Sequence, residues 1–344
     1  HLAGVDLPAA DQETYRGLVM QLSKLGSKFA ENLLDATMAW TRHFDSKEPL
    51  SGLPEGELKL LEGIAGSRDM SGWLVDLSAP SFQAVMTYAN DSELRKEVYT
   101  AYVTRASDQG PMPGRWDNTP VIAEILSLRH QLACLLGFEN YVEYALSRRM
   151  ADSPQSVLTF LQSLADRASG AAAEQFANLE AFAREQGASL PLNAWDVAYW
   201  SERYRQAELQ LSDEQLKPYF PLNRMLDALL HTAQSLFGVR LVADDSIVSW
   251  HPDVRYYWLE NSDGQRFAGL YMDLFARKDK RGGAWMDVCL SKRQAAGVSQ
   301  LPVAYLTCNF APPLEDRPSL LTHDDLQTLF HEFGHCLHHL LTEI

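Results

Sequence analysis

The sequence has few cysteines and no long apolar run, and each shortage excludes a class of protein. Only four cysteines occur in 344 residues, and no two of them form a Cys-x-x-Cys pair. This spacing indicates neither a disulfide framework nor a thiolate zinc knuckle, and it favours a reducing compartment. No segment approaches the roughly 18 consecutive apolar residues of a membrane span, and residues 1–7 lack the basic and apolar regions of a signal peptide. We therefore expect a cytoplasmic protein with no membrane partner.

Basic residues are also scarce relative to acidic ones. Thirty Lys and Arg stand against 45 Asp and Glu, which gives a formal net charge of −15 at pH 7. Because clustered positive charge is what binds a phosphate backbone, this balance argues against a nucleic-acid partner. Apolar residues make up 46% of the chain, enough for one or more hydrophobic cores. The first residue is not Met and the last lies in a helical pattern, so we expect a piece of a longer polypeptide.

Residues 1–238 are predicted to form a helical array. Apolar residues recur at helical spacing across most of this region, and capping residues mark the helix ends. A Ser or Thr followed by Pro or an acid begins a helix, and a Gly after the periodic run ends it. These signals are Thr119-Pro120 with Gly137, Ser153-Pro154 with Gly187, and Ser212-Asp213-Glu214. Residues 73–77 interrupt the array with the pattern of a short strand.

Residues 239–321 are predicted to form a small antiparallel β-sheet with loops. Short apolar and aromatic runs at residues 254–259, 267–275 and 303–310 are separated by turn residues. A proline-rich loop at residues 312–318 then leads to a helix predicted at residues 322–344. Thr322 is the expected N-cap of that helix, and Asp324 and Asp325 lie near the positive end of its dipole.

The predicted helix at residues 322–344 carries the motif His331-Glu332-Phe333-Gly334-His335. Residues i and i+4 lie on one face of a helix, so both imidazoles can reach one metal ion while Glu332 projects beside them. His331 and His335 are therefore the predicted zinc ligands, and Glu332 is the predicted catalytic residue that accepts a proton from water. The motif is also compatible with two surface histidines that bind no metal, and it does not distinguish zinc from cobalt or manganese.

Three neighbouring residues are less suited to bind the same ion. His338 lies about 10 Å further along the helix axis than His331, so we interpret it as a supporting or packing residue. Cys336 is expected to be a small buried residue rather than a ligand. Glu343 lies about two turns beyond His335, which is too far for a shared tetrahedral site.

Several further segments accompany the motif. They are residues 32–38 (NLLDATM), 104–111 (TRASDQGP), 280–287 (KRGGAWMD), 304–310 (AYLTCNF) and 330–335 (FHEFGH). With these segments the chain resembles the thimet-oligopeptidase family of zinc metallopeptidases, and the resemblance extends over nearly all of its residues.

The resemblance implies a mainly helical, two-lobed zincin-type oligopeptidase whose deep channel admits short peptides and excludes folded proteins. It implies that His331 and His335 bind one Zn²⁺ per chain and that Glu332 is the general base of a zinc-dependent endopeptidase. The Arg281-to-Trp285 segment and the strand that ends at Phe310 are candidate channel walls, although support of the fold is an equally open role. Short peptides are the expected partners, and the protein is expected to be a monomer.

The family's pattern is incomplete in this sequence. Members of the family take a third zinc ligand from a Glu on a helix after the motif helix, and their oxyanion-stabilising Tyr and His lie further toward the C-terminus. The sequence ends before these positions and also lacks the family's N-terminal segment. Two imidazoles without a carboxylate should hold zinc weakly, so the chain by itself is expected to be inactive.

Two other functions remain open at this point. The first is a non-catalytic helical peptide-binding module in which the motif histidines bind no metal. The second is another class of zincin, such as an aminopeptidase. The segments upstream of the motif argue against this second alternative, because they occur together in the oligopeptidases.

Overall fold

The computed structural model describes residues 2–295, 297–313 and 317–343, with the backbone alone at Val298. The chain is 53% helical, which confirms the prediction of a mainly helical fold. The helices are α1 Ala9–Ala39, α2 Glu55–Gly66, α3 Ala79–Tyr88, α4 Ser92–Val103, α5 Thr119–Leu135, α6 Tyr141–Leu146, α7 Pro154–Glu185, α8 Ala194–Leu209, α9 Asp213–Leu216, α10 Leu222–Phe237 and α11 His323–Leu340. The strands are β1 Thr41–Phe44, β2 Trp73–Asp76, β3 Arg240–Ala243, β4 Arg255–Glu260, β5 Arg266–Phe275, β6 Trp285–Leu290, β7 Arg293–Ala295, β8 Val298–Gln300 and β9 Val303–Phe310.

The chain divides into two compact units, and the first is formed by His1–Trp40 with Lys96–Tyr204. One of its cores lies between α1 and α5. Leu128 and Leu132 of α5 and the following Leu136 are spaced four residues apart, so they form one stripe along the helix, and they pack with Leu18 of α1. Burial of such a stripe is the main source of stability for an amphipathic helix.

The predicted boundaries of α7 are confirmed. The Ser153 hydroxyl accepts a hydrogen bond from the Ser156 N–H, and the Ser156 hydroxyl is bonded to the Ser153 N–H, so the two residues form a capping box. Pro154 occupies the first turn, where its missing N–H costs no helical hydrogen bond. At the other end Gly187 has φ of +87°, the left-handed conformation that ends helices and favours glycine.

The second unit is formed by Thr41–Arg95 with Arg205–Ile344, and a five-stranded sheet is its centre. The strand order is β3-β4-β5-β9-β6. Three of the neighbouring pairs are antiparallel, as predicted, whereas β5 and β9 run parallel with Leu270 beside Ala304 and Met272 beside Leu306. A parallel pair requires a long connection. Here that connection contains β6 and the β7–β8 hairpin, so a pattern of short strands could not predict the direction of β9.

One face of the sheet forms the main hydrophobic core of this unit together with α10 and α11. Alternate residues of β5 and β9 point to this face because side chains alternate along a strand. They are Ala268, Leu270, Met272 and Leu274 from β5, and Ala304, Leu306, Cys308 and Phe310 from β9. Leu329 and Phe333 of α11 pack into the same core, with exposures of 0% and 3%. The motif helix is thus held directly on the sheet.

Several smaller elements complete the comparison with the sequence. β2 confirms the predicted strand near residue 73, and it pairs with β1, a strand that was not predicted. The helix predicted from Ser212 is present but short, since α9 ends at Leu216. The domain boundaries predicted at residues 238 and 321 lie beside the end of α10 and the start of α11, and as domain boundaries they stay a prediction. In the described part of the chain, no helix combines the length and the apolarity that a membrane span requires.

The cap of α11 generates a test of the fold. Thr322→Ala is expected to lower the free energy of unfolding by about 1 kcal/mol, because it removes the acceptor of the Asp325 N–H at the helix start. Thr232→Ala, in the middle of α10, is the matched control, and it should change stability by less than about 0.5 kcal/mol because Ala is the better helix former. Urea unfolding followed by circular dichroism measures both variants. Equal losses in the two would contradict a specific role for the cap.

Candidate active site

The motif helix α11 begins at a defined residue. The Thr322 hydroxyl accepts a hydrogen bond from the Asp325 N–H at 3.0 Å, and the Asp325 carboxylate accepts one from the Thr322 N–H at 3.0 Å. This reciprocal capping box confirms Thr322 as the N-cap and fixes the register of the turns that follow. Burial raises the pKa of Asp325, and its hydrogen bonds to Thr322 oppose that rise.

The two faces of α11 have different environments. The face toward the sheet is buried and consists of Leu329, Phe333, Cys336, Leu337 and Leu340. His331 and His335 lie on the exposed side of the helix. The predicted burial of Cys336 is confirmed, with an exposure of 0%, and burial raises the pKa of its thiol to about 12. A protonated thiol is a poor metal ligand, so Cys336 belongs to the core.

The two motif histidines approach each other closely. Their Nε2 atoms are 3.2 Å apart, and their rings meet edge to face with centroids 4.7 Å apart. Two donors that lie about 2.0–2.1 Å from one ion in tetrahedral geometry are separated by about 3.3 Å. The helix therefore holds both nitrogens at the spacing that one tetrahedral ion requires, and no rearrangement of the backbone is needed.

Glu332 and His335 line one open groove. The groove has a volume of about 500 Å³, and its other walls include Ala284, Trp285 and Met286 from the start of β6. Glu332 is partly buried on the flank of α11, one residue from His331. Glu332 and His335 thus face one groove, and a carboxylate there is available to a water molecule bound in that groove.

The histidine pair has no third donor nearby in the part of the chain described. Among residues 2–295, 297–313 and 317–343, no group of three or more His, Cys, Asp or Glu side chains could hold a metal ion. Two imidazoles are a partial donor set for zinc, since catalytic zinc sites have three protein ligands and one open position. The two imidazoles therefore suit a zinc ion as two of its three protein ligands.

The two histidines that follow the motif have separate positions. His338 lines the groove that also contains Glu332 and His335. His339 directs its Nε2 toward the carbonyl oxygen of Leu290 at 3.0 Å, which joins the end of α11 to the end of β6. We interpret both as residues that shape the groove around the histidine pair.

A buried ionic cluster lies at the end of β5. Asp273 accepts two hydrogen bonds from Arg277, at 2.6 and 2.7 Å, and one from Lys280 at 2.7 Å. Trp250 donates a further hydrogen bond to the same carboxylate at 3.1 Å. Burial opposes the charge of Asp273, but these hydrogen bonds outweigh it and lower the pKa to about 2. Burial lowers the pKa of Lys280, and the Asp273 carboxylate opposes that decrease.

The loop between β5 and β6 is attached to this cluster. Lys280 of the cluster belongs to the loop. Asn309 of β9 also holds the loop, because its side-chain nitrogen donates to Arg281 O at 3.0 Å and to Gly283 O at 2.6 Å. Lys280 and Asn309 lie in two of the segments that carry the family resemblance. The sequence did not predict that Asp273, Lys280 and Asn309 together hold this loop. The available signals were an acid inside the apolar strand β5 and a Lys two residues before a pair of glycines.

The ionic cluster predicts a dependence of stability on pH. The pKa of Asp273 is about 2 when folded and 3.8 when unfolded, so its stabilising effect is complete above about pH 5 and is lost as the pH falls through 2. Asp273→Asn should therefore lower the free energy of unfolding by about 2 kcal/mol at pH 6, with a smaller difference from the parent at pH 3. Denaturant unfolding at a series of pH values measures this difference. A difference that stays constant from pH 6 to pH 2.5 would contradict the assignment.

One family model and several curated proteins match this chain. A family model described as Peptidase family M3 matches residues 85–344. The chain is 46% identical over 344 residues to oligopeptidase A of Salmonella typhimurium, an alignment that covers 100% of this chain and 51% of the relative. It is 38% identical to the probable cytosolic oligopeptidase A of Arabidopsis thaliana, over 99% of this chain and 50% of the relative. It is 33% identical to the dipeptidyl carboxypeptidase of Escherichia coli, over 98% of this chain and 49% of the relative.

The chain spans about half the length of these curated relatives. The resemblance predicted from the motif and its accompanying segments is confirmed. Because the family model covers about three quarters of the residues, from position 85 to position 344, this chain belongs to peptidase family M3.

Proposed function

We propose that this chain is part of a zinc-dependent endopeptidase of the oligopeptidase A kind, which hydrolyses short peptides. The observation that carries the proposal is the pair of Nε2 atoms of His331 and His335, 3.2 Å apart beside Glu332. The names of the relatives support a peptidase, since Salmonella typhimurium and Arabidopsis thaliana proteins are both called oligopeptidase A.

His331 and His335 are the residues that would hold the metal ion. Imidazole nitrogens are donors of the type that zinc accepts, both side chains are exposed, and His335 lines the groove. When bound, zinc supplies a Lewis acid that lowers the pKa of a bound water and polarises a carbonyl group. Burial of the opposite face of α11 keeps the two imidazoles in place before any ion binds.

Glu332 is proposed as the general base. It would accept a proton from the attacking water and later donate that proton to the nitrogen of the leaving amine. Glu332 lines the same groove as His335, which supports this role. A water molecule bound in that groove would pass its proton directly to the Glu332 carboxylate. The groove walls at Ala284 and Trp285 would restrict the peptide to an orientation with its scissile carbonyl near Glu332.

The third zinc ligand is proposed to lie outside the described residues. The described part of the chain contains no cluster of three suitable side chains, whereas a catalytic zinc site needs three protein ligands. We expect a Glu from another part of the longer polypeptide to complete the site. On this proposal the 344-residue chain alone binds zinc weakly and does not hydrolyse peptides.

A second function is a peptide-binding module that uses no metal. The incomplete donor set around His331 and His335 is the observation that favours it. The two functions differ in one measurable property, which is whether the histidine pair binds a metal ion tightly in the longer polypeptide.

The cellular setting is also part of the proposal. All four cysteines are free thiols, which supports a reducing compartment such as the cytoplasm. We propose that the protein acts there as a monomer on short peptides.

Zinc binding tests the role of the histidine pair. In the longest natural polypeptide that contains this sequence, His335→Ala should weaken zinc binding by at least about a hundredfold, because it removes one direct ligand. His338→Ala is the matched control on the same helix and should keep stoichiometric zinc. Elemental analysis after dialysis against a chelator measures both. Stoichiometric zinc in the His335→Ala variant would contradict the assignment and favour the module without metal.

Peptide hydrolysis tests the role of Glu332. Glu332→Gln keeps the size of the side chain but removes its ability to accept a proton, so kcat should fall by about 10²–10⁴-fold while zinc content is unchanged. A fluorogenic peptide assay and elemental analysis on the same preparation measure the two quantities. Hydrolysis at the parent rate would exclude Glu332 as the base.

A further inference from the structure

The loop of residues 281–284 forms part of the groove wall, and it has an unusual sequence for a rigid wall. It contains Gly282 and Gly283 in succession, and Gly283 has φ of +96°, which favours glycine. Glycine loses more conformational freedom on ordering than any other residue, so an unattached loop of this composition would be mobile. A wall that must orient a peptide therefore requires attachments elsewhere.

We propose that Lys280 and Asn309 are positioning residues that fix the 281–284 loop as a preformed wall of the substrate groove, and that cleavage of longer peptides depends on them. This inference rests on the proposed peptidase function. Neither residue touches the reacting atoms. Both act through the backbone of the loop.

Lys280 provides the first attachment. Its side chain is 6% exposed, and its ammonium group donates to the carbonyl oxygens of Cys308, Phe275 and Asp273 at 2.6, 2.7 and 3.0 Å. A fourth contact is the Asp273 carboxylate, at 2.7 Å. A buried ammonium is unfavourable unless it is paired and hydrogen-bonded, and here it has four oxygen partners. These partners belong to β5 and β9, so the charge attaches the start of the loop to two neighbouring parallel strands.

Asn309 provides the second attachment, on the other side of the loop. Its side-chain nitrogen donates to the carbonyl oxygens of Arg281 and Gly283, which lie on either side of Gly282. The amide has two N–H groups, and two carbonyl acceptors use both of them. The backbone of the loop is thus fixed at residues 280, 281 and 283 before any peptide binds.

The loop lies between two cavities on the same unit. Ala284 lines the groove that contains Glu332 and His335. Gly283, Ala284 and Asn309 also line a second cavity of about 340 Å³, whose other walls include Thr328 of the motif helix. A peptide that extends from the groove into the second cavity must pass Ala284. The position of this wall therefore determines how a long peptide lies relative to Glu332.

Fixing the wall in advance has a kinetic consequence. When a binding surface is ordered before the substrate arrives, no binding free energy is spent on ordering it. A displacement of about 1 Å in a positioning group can reduce turnover about a hundredfold. The effect should be largest for peptides long enough to contact both cavities, and small for peptides that occupy the groove alone.

The test uses the isosteric substitution Asn309→Asp in the longest natural polypeptide that contains this sequence. The carboxylate cannot donate to Arg281 O or Gly283 O, so the loop loses its second attachment. Asn261→Asp is the charge control, since the Asn261 Oδ1 in the β4–β5 turn accepts hydrogen bonds from two backbone N–H groups, and a carboxylate keeps both. The substrates are a fluorogenic octapeptide and a tetrapeptide that share one scissile bond.

We expect Asn309→Asp to lower kcat/KM for the octapeptide by about tenfold or more and for the tetrapeptide by less than about threefold. Zinc content and melting temperature should stay at the parent values. Limited digestion with trypsin, which needs no activity of the protein, should cleave after the exposed Arg281 faster in this variant than in the parent or in Asn261→Asp. Lys280→Met should give the same loss of preference for the octapeptide, together with lower stability.

Two results would overturn the inference. The first is an unchanged preference for the octapeptide in Asn309→Asp, or an unchanged rate of tryptic cleavage after Arg281. The second is an equal loss for both peptides together with lower melting temperature or zinc content, which would indicate plain support of the fold. Failure of the unsubstituted protein to cleave either peptide would instead contradict the proposed peptidase function, and the rate of tryptic cleavage after Arg281 would still decide whether Asn309 fixes the loop.

Discussion

The packing of one face of α11 against the β5–β9 sheet is the constraint on which the rest of the site depends. Leu329, Phe333 and Cys336 are almost completely buried there, so the rotation of the helix about its axis is determined by the core. With that rotation set, the period of 3.6 residues brings His331 and His335 to the opposite face with their Nε2 atoms 3.2 Å apart. The geometry for a metal ion is therefore a consequence of hydrophobic burial.

A second, electrostatic constraint operates at the end of β5, an inner strand of the same sheet. Asp273 and Lys280 each have a side-chain exposure of 6%, and such groups are tolerated in a core only when every charge has partners. Their shared hydrogen bonds join the end of β5, the carbonyl of Cys308 in β9 and the loop that precedes β6. The apolar core thus orients the motif helix, while the ionic cluster holds the wall that faces it. Both contributions meet at Ala284, which lies beside Glu332 in the groove.

Local sequence signals predicted the parts of the site that depend on near neighbours. Thr322 is followed three residues later by Asp325, and the helical spacing of His331 and His335 is contained in five residues. The parallel pairing of β5 with β9 depends on a connection of more than twenty residues, so no local pattern carries it. The contacts of Lys280 with Cys308 O and of Asn309 with Gly283 O join residues 28 and 26 positions apart. Such contacts depend on which strands are neighbours in the folded sheet, so a local sequence pattern does not predict them.

We propose that His331 and His335 together bind one zinc ion beside Glu332. Anomalous diffraction at the zinc absorption edge, from crystals of the longest natural polypeptide that contains this sequence, tests it most directly. We expect one strong anomalous peak about 2.0–2.1 Å from both Nε2 atoms, with a third protein ligand from outside the described residues. Zinc bound stoichiometrically at another position, with no peak between the two imidazoles, would contradict it.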